Sequence, residues 1–519
     1  MHWANQTADW LIKNHSGEQA IVCASGISPS GHVHIGNFRE IITTYFVAKA
    51  IAEKGVPVRF IFSWDDYDRF RKVPFGMDDA LNACIGMPYS KVPDPFGCHD
   101  SYAAHFEAAF EETLALFDIA PEMIYQTVAY ESGLYTQQIR EALIRRGEIY
   151  DIITGYKTQE GSPDERSTYY PINLYCRACN KDTITSISYD EETDIIHYKC
   201  ACGHNEYAEL EGFNRIKLTW KVDWPMRWAY ESVAFEPGGR DHSSENGSFT
   251  VSTHVAKDIF SYPAPHYVPY EFIGIKGNSA KMSSSTGHLI TPLELLKIYP
   301  KEIILFMFAK YQPNVAFDIG IDEDVIRYYT EYERYLDKFE ALDEDLQETM
   351  LLSGGLQSHM HKAPKFSTIV STLPLLNFDR QLLMQLLSEY DFSDTHIRSA
   401  FEQKCDHATY WLKNINNRQL TTIQDTFNSY FYSTLNEQER LWVEAFKDLI
   451  ETQNLLPGEA VTRAYDIVQD EDPNMRRKLQ KRFFEIIYRL VLGQRSGPQI
   501  GILIQIVEKE QMVRLLTAS

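Results

Sequence analysis

The chain has 519 residues, 44% of them hydrophobic and 13% aromatic, which is enough for several domains with cores of their own and excludes a disordered protein. Asp and Glu number 72 against 50 Lys and Arg, and the formal net charge of −22 argues against indiscriminate nucleic-acid binding while leaving room for a local basic face. Eight cysteines in so long a chain are not a disulfide framework, and no apolar run approaches the ~18 residues of a membrane span.

The start, MHWANQTADW, has neither signal-peptide nor transit-peptide character, so the expected location is the cytoplasm, away from membranes. Ala20-Ile21-Val22-Cys23-Ala24 reads as a buried strand. PSGHVHIGN, residues 29–37, follows, with His32 and His34 between Gly31 and Gly36. Phe38, Ile41, Ile42, Tyr45, Phe46 and Ala50 then recur at helical spacing up to Gly55, and Val58-Arg59-Phe60-Ile61-Phe62 reads as a second strand. This is one βαβ unit. Its Gly-rich turn lies at the carboxyl end of the first strand and the amino end of the helix, where open α/β sheets bind ligands and free N–H groups favour anions. A metal cation would gain little from the positive end of a helix dipole, so the histidines are expected to serve a phosphate as donors. Taken alone, the stretch is also satisfied by a turn that merely needs glycine. Asp65, Asp66 and Asp68 follow the second strand at the same edge of the sheet, and fit either a Mg²⁺ or ammonium site or a solvated turn.

Residues 91 to about 215 interrupt the unit with helices at 101–117 and 135–150 and a Cys-bearing hairpin. PDPFGCHDSYAAHF offers Asp94, Cys98, His99 and His105, a donor set able to make tetrahedral zinc, although a histidine on a helix is more often a plain surface or core residue. Residues 176–202 read CRAC, twenty residues, then CAC. Cys176, Cys179, Cys200 and Cys202 are a set for structural zinc in a reducing compartment, with a turn at Asp190-Glu191 to bring the pairs together. His197 or His204 is an alternative to one thiolate.

Strand and loop character is expected from about 216 to 289. Trp220, Trp224 and Trp228 have a core-stripe spacing, but Pro225 argues against an ordinary helix there. KGNSAKMSSSTG, residues 276–287, reads as a loop whose lysines and hydroxyls could close over a polyphosphate, or as a solvated surface loop. From Thr291 onward apolar residues recur mostly at helical spacing, with a linker at 354–364 and a basic run, MRRKLQKR, at 475–482. That run suits an RNA backbone or a charged helix face.

PSGHVHIGN after the first strand and KMSSS about 240 residues later together resemble the two signatures of class I aminoacyl-tRNA synthetases. Asn37 replaces the usual last histidine of the first, and Ser284 the usual second lysine of the second. SGISPSGHVHIGNFRE, DDYDRFRKVP, KVDWPMRW and KMSSSTG are similar to class I lysyl-tRNA synthetases, most strongly to residue 290 and more thinly beyond, where GQRSGPQIG is the best echo. The resemblance implies a Rossmann-type α/β catalytic domain at 1–290, interrupted by a zinc-binding insertion at about 91–215. A helical stem-contact region at 291–360 and a helical anticodon-binding domain at 361–519 would follow.

The implied reaction joins lysine to tRNA(Lys) through a lysyl-adenylate, releasing pyrophosphate and then AMP, with attack by the 2′-hydroxyl of the terminal adenosine. A glutamate-type synthetase or related adenylyltransferase is the alternative. Implied catalytic residues are His34, Asn37 and Lys281; implied ATP contacts are Ser30, Gly31, His34, Gly36, Asn37, Asp241, Lys281 and Ser284. Gly26, Ser28, Trp220, His242 and Tyr270 match the amino-acid pocket, which holds no arginine among them; Arg240 is expected to point away. Mg²⁺ is implied with ATP, as is zinc, about two ions per chain, at the Cys176–Cys202 and Asp94–His105 sets. The partners are lysine, ATP and tRNA, not DNA.

Overall fold

The apolar run at Ile21 forms a strand, Ile21–Ile27, followed by the helix Ile35–Glu53 and the strand Val58–Trp64, as its patterning predicts. A computed structural model describes residues 1–17, 19–156, 162–277, 290–452 and 457–518, and the chain forms two compact units. The first comprises Met1–Leu296, Ile304–Ile319 and Asp343–Ser353.

Its centre is an open parallel sheet of Rossmann type. Among the described residues, five strands lie in the order His266–Tyr270, Val233–Gly239, Ile21–Ile27, Val58–Trp64, Glu122–Tyr125. All pairings are parallel, with Gly26 opposite Ser63 and Ile27 opposite Trp64. Parallel strands are covered on both faces, which is why Ile21–Ala24 and the whole of Val233–Gly239 are buried. The helix Ile35–Glu53 packs on the sheet and carries a buried face of Phe38, Ile41, Ile42, Phe46 and Ile51. The chain builds outward from the first strand to one side, then returns to its other side at Val233. That reversal opens a crevice at the carboxyl ends of the two strands.

Three elements depart from the sequence reading. The strand Glu122–Tyr125 lies within 91–215 yet completes the main sheet, so the chain leaves the sheet only after it. The second predicted helix is two, Thr136–Ile144 and Arg146–Gly155. Residues 216–289 carry two long helices, Trp220–Glu231 and Ser248–Phe260. Pro225 sits inside the first of these, against expectation. It forfeits one backbone hydrogen bond, while along one face of the helix Trp220 stacks on Trp224 and Trp228 packs tilted against Trp224. The Cys-bearing segment folds as an antiparallel sheet of Ile184–Asp190, Ile195–Cys200 and Asn205–Glu209.

The second unit comprises Lys297–Ile303, Gly320–Leu342 and Gly354–Ser519, and its described residues are helical. The helix Pro473–Val491 shows why: Asp472 caps it, Pro473 opens it, and Phe483, Ile486, Ile487 and Leu490 form one buried stripe. Residues 354–364, expected as a linker, are packed. Met360 is buried, and the Met360 and Pro364 carbonyls accept from Lys404 Nζ, which also pairs with Glu333 at 2.6 Å. In the basic run, Arg476 donates to the Asp470 carbonyl and Arg482 to Glu439, while Arg477, Lys478 and Lys481 are exposed.

Candidate active site and metal centres

The crevice is a cavity of about 1160 Å³, larger than the ~300–1,000 Å³ that usually holds one small ligand. Ser30, Gly31, His34, Gly36, Asn37 and Asp241 line it, and so do Gly26, Ser28, Trp220, His242 and Tyr270. Every described residue expected at the nucleotide and amino-acid sites thus faces one space. Lys281 and Ser284 lie outside the described residues.

The nucleotide end is built on the start of the helix Ile35–Glu53. His34 is its N-cap: Nδ1 accepts from the Gly36 N–H at 3.0 Å and the Asn37 N–H at 3.3 Å. Gly36 makes this possible, because a Cβ there would lie 2.9 Å from the imidazole ring. With Nδ1 accepting, the neutral ring carries its proton on Nε2. His34 can therefore be a donor, as expected, but it consumes two of the helix N–H groups that were expected to serve the anion. His32 lies edge-on to Phe106, with ring centroids 4.9 Å apart.

At the other end the wall is aromatic and acidic. Trp220 stacks on Trp224 at 5.0 Å, and His242 lies 6.1 Å from Trp220. Glu40 reaches in from the second turn of the helix. Its Oε1 accepts from the Gly26 N–H and its Oε2 from the Tyr270 hydroxyl, both at 2.9 Å. Withdrawal from water, reinforced by the Glu236 and Asp65 charges, lifts the Glu40 carboxyl to about 8 despite these donors. Gly26 is needed for the close strand approach beside it: a Cβ would lie 3.0 Å from the Ser63 carbonyl oxygen. Glu236, also buried, accepts from Trp228 Nε1 at 2.6 Å.

Two arginines near the pocket are accounted for. Arg227, which sequence reasoning missed, lines the cavity with its guanidinium carbon 5.5 Å from the Trp220 ring centre. Its charge is committed to Asp65 at 2.8 Å and Asp223 at 3.1 Å. Arg240 is 70% exposed and pairs with Glu271 at 3.4 Å. The aspartates after the second strand are not a solvated turn: Asp65 and Asp66 are buried, and Asp66 accepts from the Thr127 N–H. Asp68 accepts from Ser28 Oγ and pairs with buried Lys217 at 2.8 Å.

Both expected donor sets converge. Within each, one donor atom per residue lies within 4.8 Å of the others. The sulfurs of Cys176 and Cys202 are 3.8 Å apart and those of Cys179 and Cys200 3.6 Å. Tetrahedral thiolates on zinc are separated by about 3.8 Å, so this set fits the ion. His197 stacks on Tyr207 and His204 bonds Glu206, so neither replaces a thiolate in the set. In the second set Cys98 Sγ lies 3.1 Å from His99 Nδ1 and 3.2 Å from His105 Nδ1, and Asp94 Oδ2 is 3.4 Å away.

A family model described as tRNA synthetases class I (K) matches residues 1–354. The lysine–tRNA ligase of Treponema pallidum (strain Nichols) is 33% identical over a 540-residue alignment that covers 100% of this chain and 98% of that protein. That of Pyrococcus furiosus is 31% identical, covering 99% of each. That of Borreliella burgdorferi is 34% identical, covering 98% of this chain and 97% of that one.

Proposed function

This chain belongs to the class I (K) tRNA synthetases and attaches lysine to tRNA with ATP through a lysyl-adenylate, and from that premise we propose which of its residues perform each part of the reaction. The observation that carries the reading is Glu40, held between the Gly26 N–H and the Tyr270 hydroxyl in the wall of a cavity that also contains the His34 turn. A carboxylate out of water needs a cation, and the lysine side-chain ammonium is one. Trp220, His242 and Tyr270 suit its apolar stem and cationic head, and Gly26 and Ser28 flank it.

ATP lies toward the other end, with Ser30, Gly31, Gly36 and Asn37 against the nucleotide, His34 Nε2 donating to a phosphate oxygen and Asp241 on the sugar and base side. The lysine carboxylate oxygen attacks the α-phosphorus; that P–O bond forms as the bond to the bridging oxygen breaks, and pyrophosphate leaves. No protein nucleophile is required, so the work is positioning and charge stabilisation. Lys281 and Ser284 are proposed for the leaving group, where Mg²⁺ supplies further charge neutralisation. A terminal tRNA hydroxyl then attacks the acyl carbon and AMP leaves. The residues after about 360 are proposed to read the anticodon, and the cytoplasm is the proposed location.

Discrimination against glutamate follows from the same wall. A carboxylate side chain in the ammonium's place would meet the Glu40 carboxyl and would need an uncommitted cation beside it; of the arginines next to this wall, Arg227 and Arg240 are both engaged. In ATP–pyrophosphate exchange with tRNA present, lysine should support exchange and glutamate should not. Exchange driven by glutamate alone would overturn the placement of the ammonium.

Zinc is proposed at both donor sets, with Cys176, Cys179, Cys200 and Cys202 holding one ion and Asp94, Cys98, His99 and His105 the other, each in a structural role. Elemental analysis of purified protein should give about two zinc ions per chain. A value near zero would sink both sites. A value near one that is lost in Cys98→Ala and kept in Cys176→Ala would sink the cysteine site.

A further inference from the structure

The motif DDYDRFRKVP ends in a segment that the reaction so far leaves unused. Arg71, Lys72 and Pro74 line the mouth of the cavity. Val73 and Met77 pack against the cluster of Phe70, Leu81, Tyr89, Val92 and Tyr102, and the Met77 N–H donates to the Pro74 carbonyl at 3.2 Å. The turn is anchored, yet Phe75 at its tip is 81% exposed. Arg71 and Lys72 are exposed, and neither has a carboxylate partner among the described residues. In a chain with 72 acidic and 50 basic side chains, two adjacent uncommitted cations beside an exposed aromatic ring are a specific feature.

Such a surface matches single-stranded nucleic acid: cations follow the backbone and a ring stacks on a base. The reaction brings one single strand to this mouth, because the terminal hydroxyl of the tRNA must reach an adenylate inside the cavity. We infer that the rim Arg71–Phe75 receives the unpaired 3′ end of the tRNA, with Phe75 stacked on a base and Arg71 and Lys72 on the flanking phosphates. This rests on the tRNA-charging reading above and adds to it the residues that guide the acceptor end.

The test compares a full tRNA(Lys) transcript with the same transcript shortened at its unpaired 3′ end, by equilibrium binding to the full chain. The wild-type chain should bind the full transcript roughly tenfold more tightly than the shortened one. Phe75→Ala, and separately Arg71→Ala with Lys72→Ala, should lose that difference while binding the shortened transcript as the wild type does; Phe75→Tyr should keep it. The double variant should also lower the slope of log affinity against log salt by about 1.4 for the full transcript. Equal weakening toward both transcripts, or none toward either, overturns the inference. So does a weaker dissociation constant for ATP alone in the double variant with the 3′-end difference intact, which would assign the cations to the nucleotide. A wild-type chain that charges tRNA with lysine but ignores the 3′ end removes the inference alone. A wild-type chain that charges no tRNA removes the functional reading first.

Discussion

Replacing Glu40 with glutamine should cut kcat/KM for lysine by roughly 30- to 1,000-fold, about 2–4 kcal/mol, with little change in the dissociation constant for ATP. Glutamine keeps the shape: its amide oxygen can accept from the Gly26 N–H and its amide N–H can donate to the Tyr270 hydroxyl oxygen, so the loss reports chiefly the charge. The pH dependence gives a second signature. The Glu40 carboxyl is lifted to about 8 in the open cavity, so near neutral pH it holds a proton. An arriving ammonium favours the carboxylate and expels that proton. Lysine affinity should therefore rise about tenfold per pH unit up to about pH 8 and then level off. Calorimetry at pH 7 in buffers of different ionisation enthalpy should show close to one proton released per lysine bound, and none in Glu40→Gln. Affinity that stays flat between pH 6 and 8, with no proton release, would remove Glu40 from the ammonium site.

The contrast between what the sequence disclosed and what it hid is physical. Glycine and histidine at one turn, and cysteines in two pairs, are residue types whose spacing itself implies a geometry. Gly31, His32, His34 and Gly36 of that turn all line the cavity, and the four cysteines converge in a cluster of their own. Glu40 was hidden because its function comes from distance: its partners are fourteen and 230 residues away. Its signal was a carboxylate in the helix Ile35–Glu53, whose neighbouring positions are mostly apolar or buried. Arg227 was hidden for a related reason. Within KVDWPMRW it reads as an ordinary helix residue, and Pro225 drew attention away from the helix that presents it. Asp65, Asp66 and Asp68 could not be assigned from sequence because burial decides between a metal site and a solvated turn, and burial depends on Lys217, Asp223 and Arg227 arriving from another segment.

Arg227→Met should destabilise the first unit by about 3–5 kcal/mol, the effect of leaving buried charges without their counter-ion. Arg227 and Lys217 are the cations among buried Asp65 and Asp223 and half-buried Asp68; Lys217 Nζ lies 2.9 Å from Asp223 and 2.8 Å from Asp68. Burial alone would raise the Asp223 carboxyl, but Arg227 and Lys217 more than offset it and hold it low. Burial pushes the Asp65 carboxyl up, and Arg227 pulls it back. Methionine keeps most of the packing volume and removes that pull, so the Asp65 carboxyl, already raised by burial in the wild type, is raised further above its unfolded value in the variant. The stability it contributes is then fully present below about pH 4 and is lost as pH rises through the folded value. Denaturant melts should accordingly show a larger deficit at pH 8 than at pH 5. Adding Asp65→Asn to Arg227→Met should recover part of the loss, because the second substitution removes the charge that the first left unpaired. The surviving fold should still show a raised KM for lysine, since Trp220 loses the guanidinium beside its ring. Additive losses in the double variant, with no pH dependence, would mean that Arg227 contributes packing and not charge.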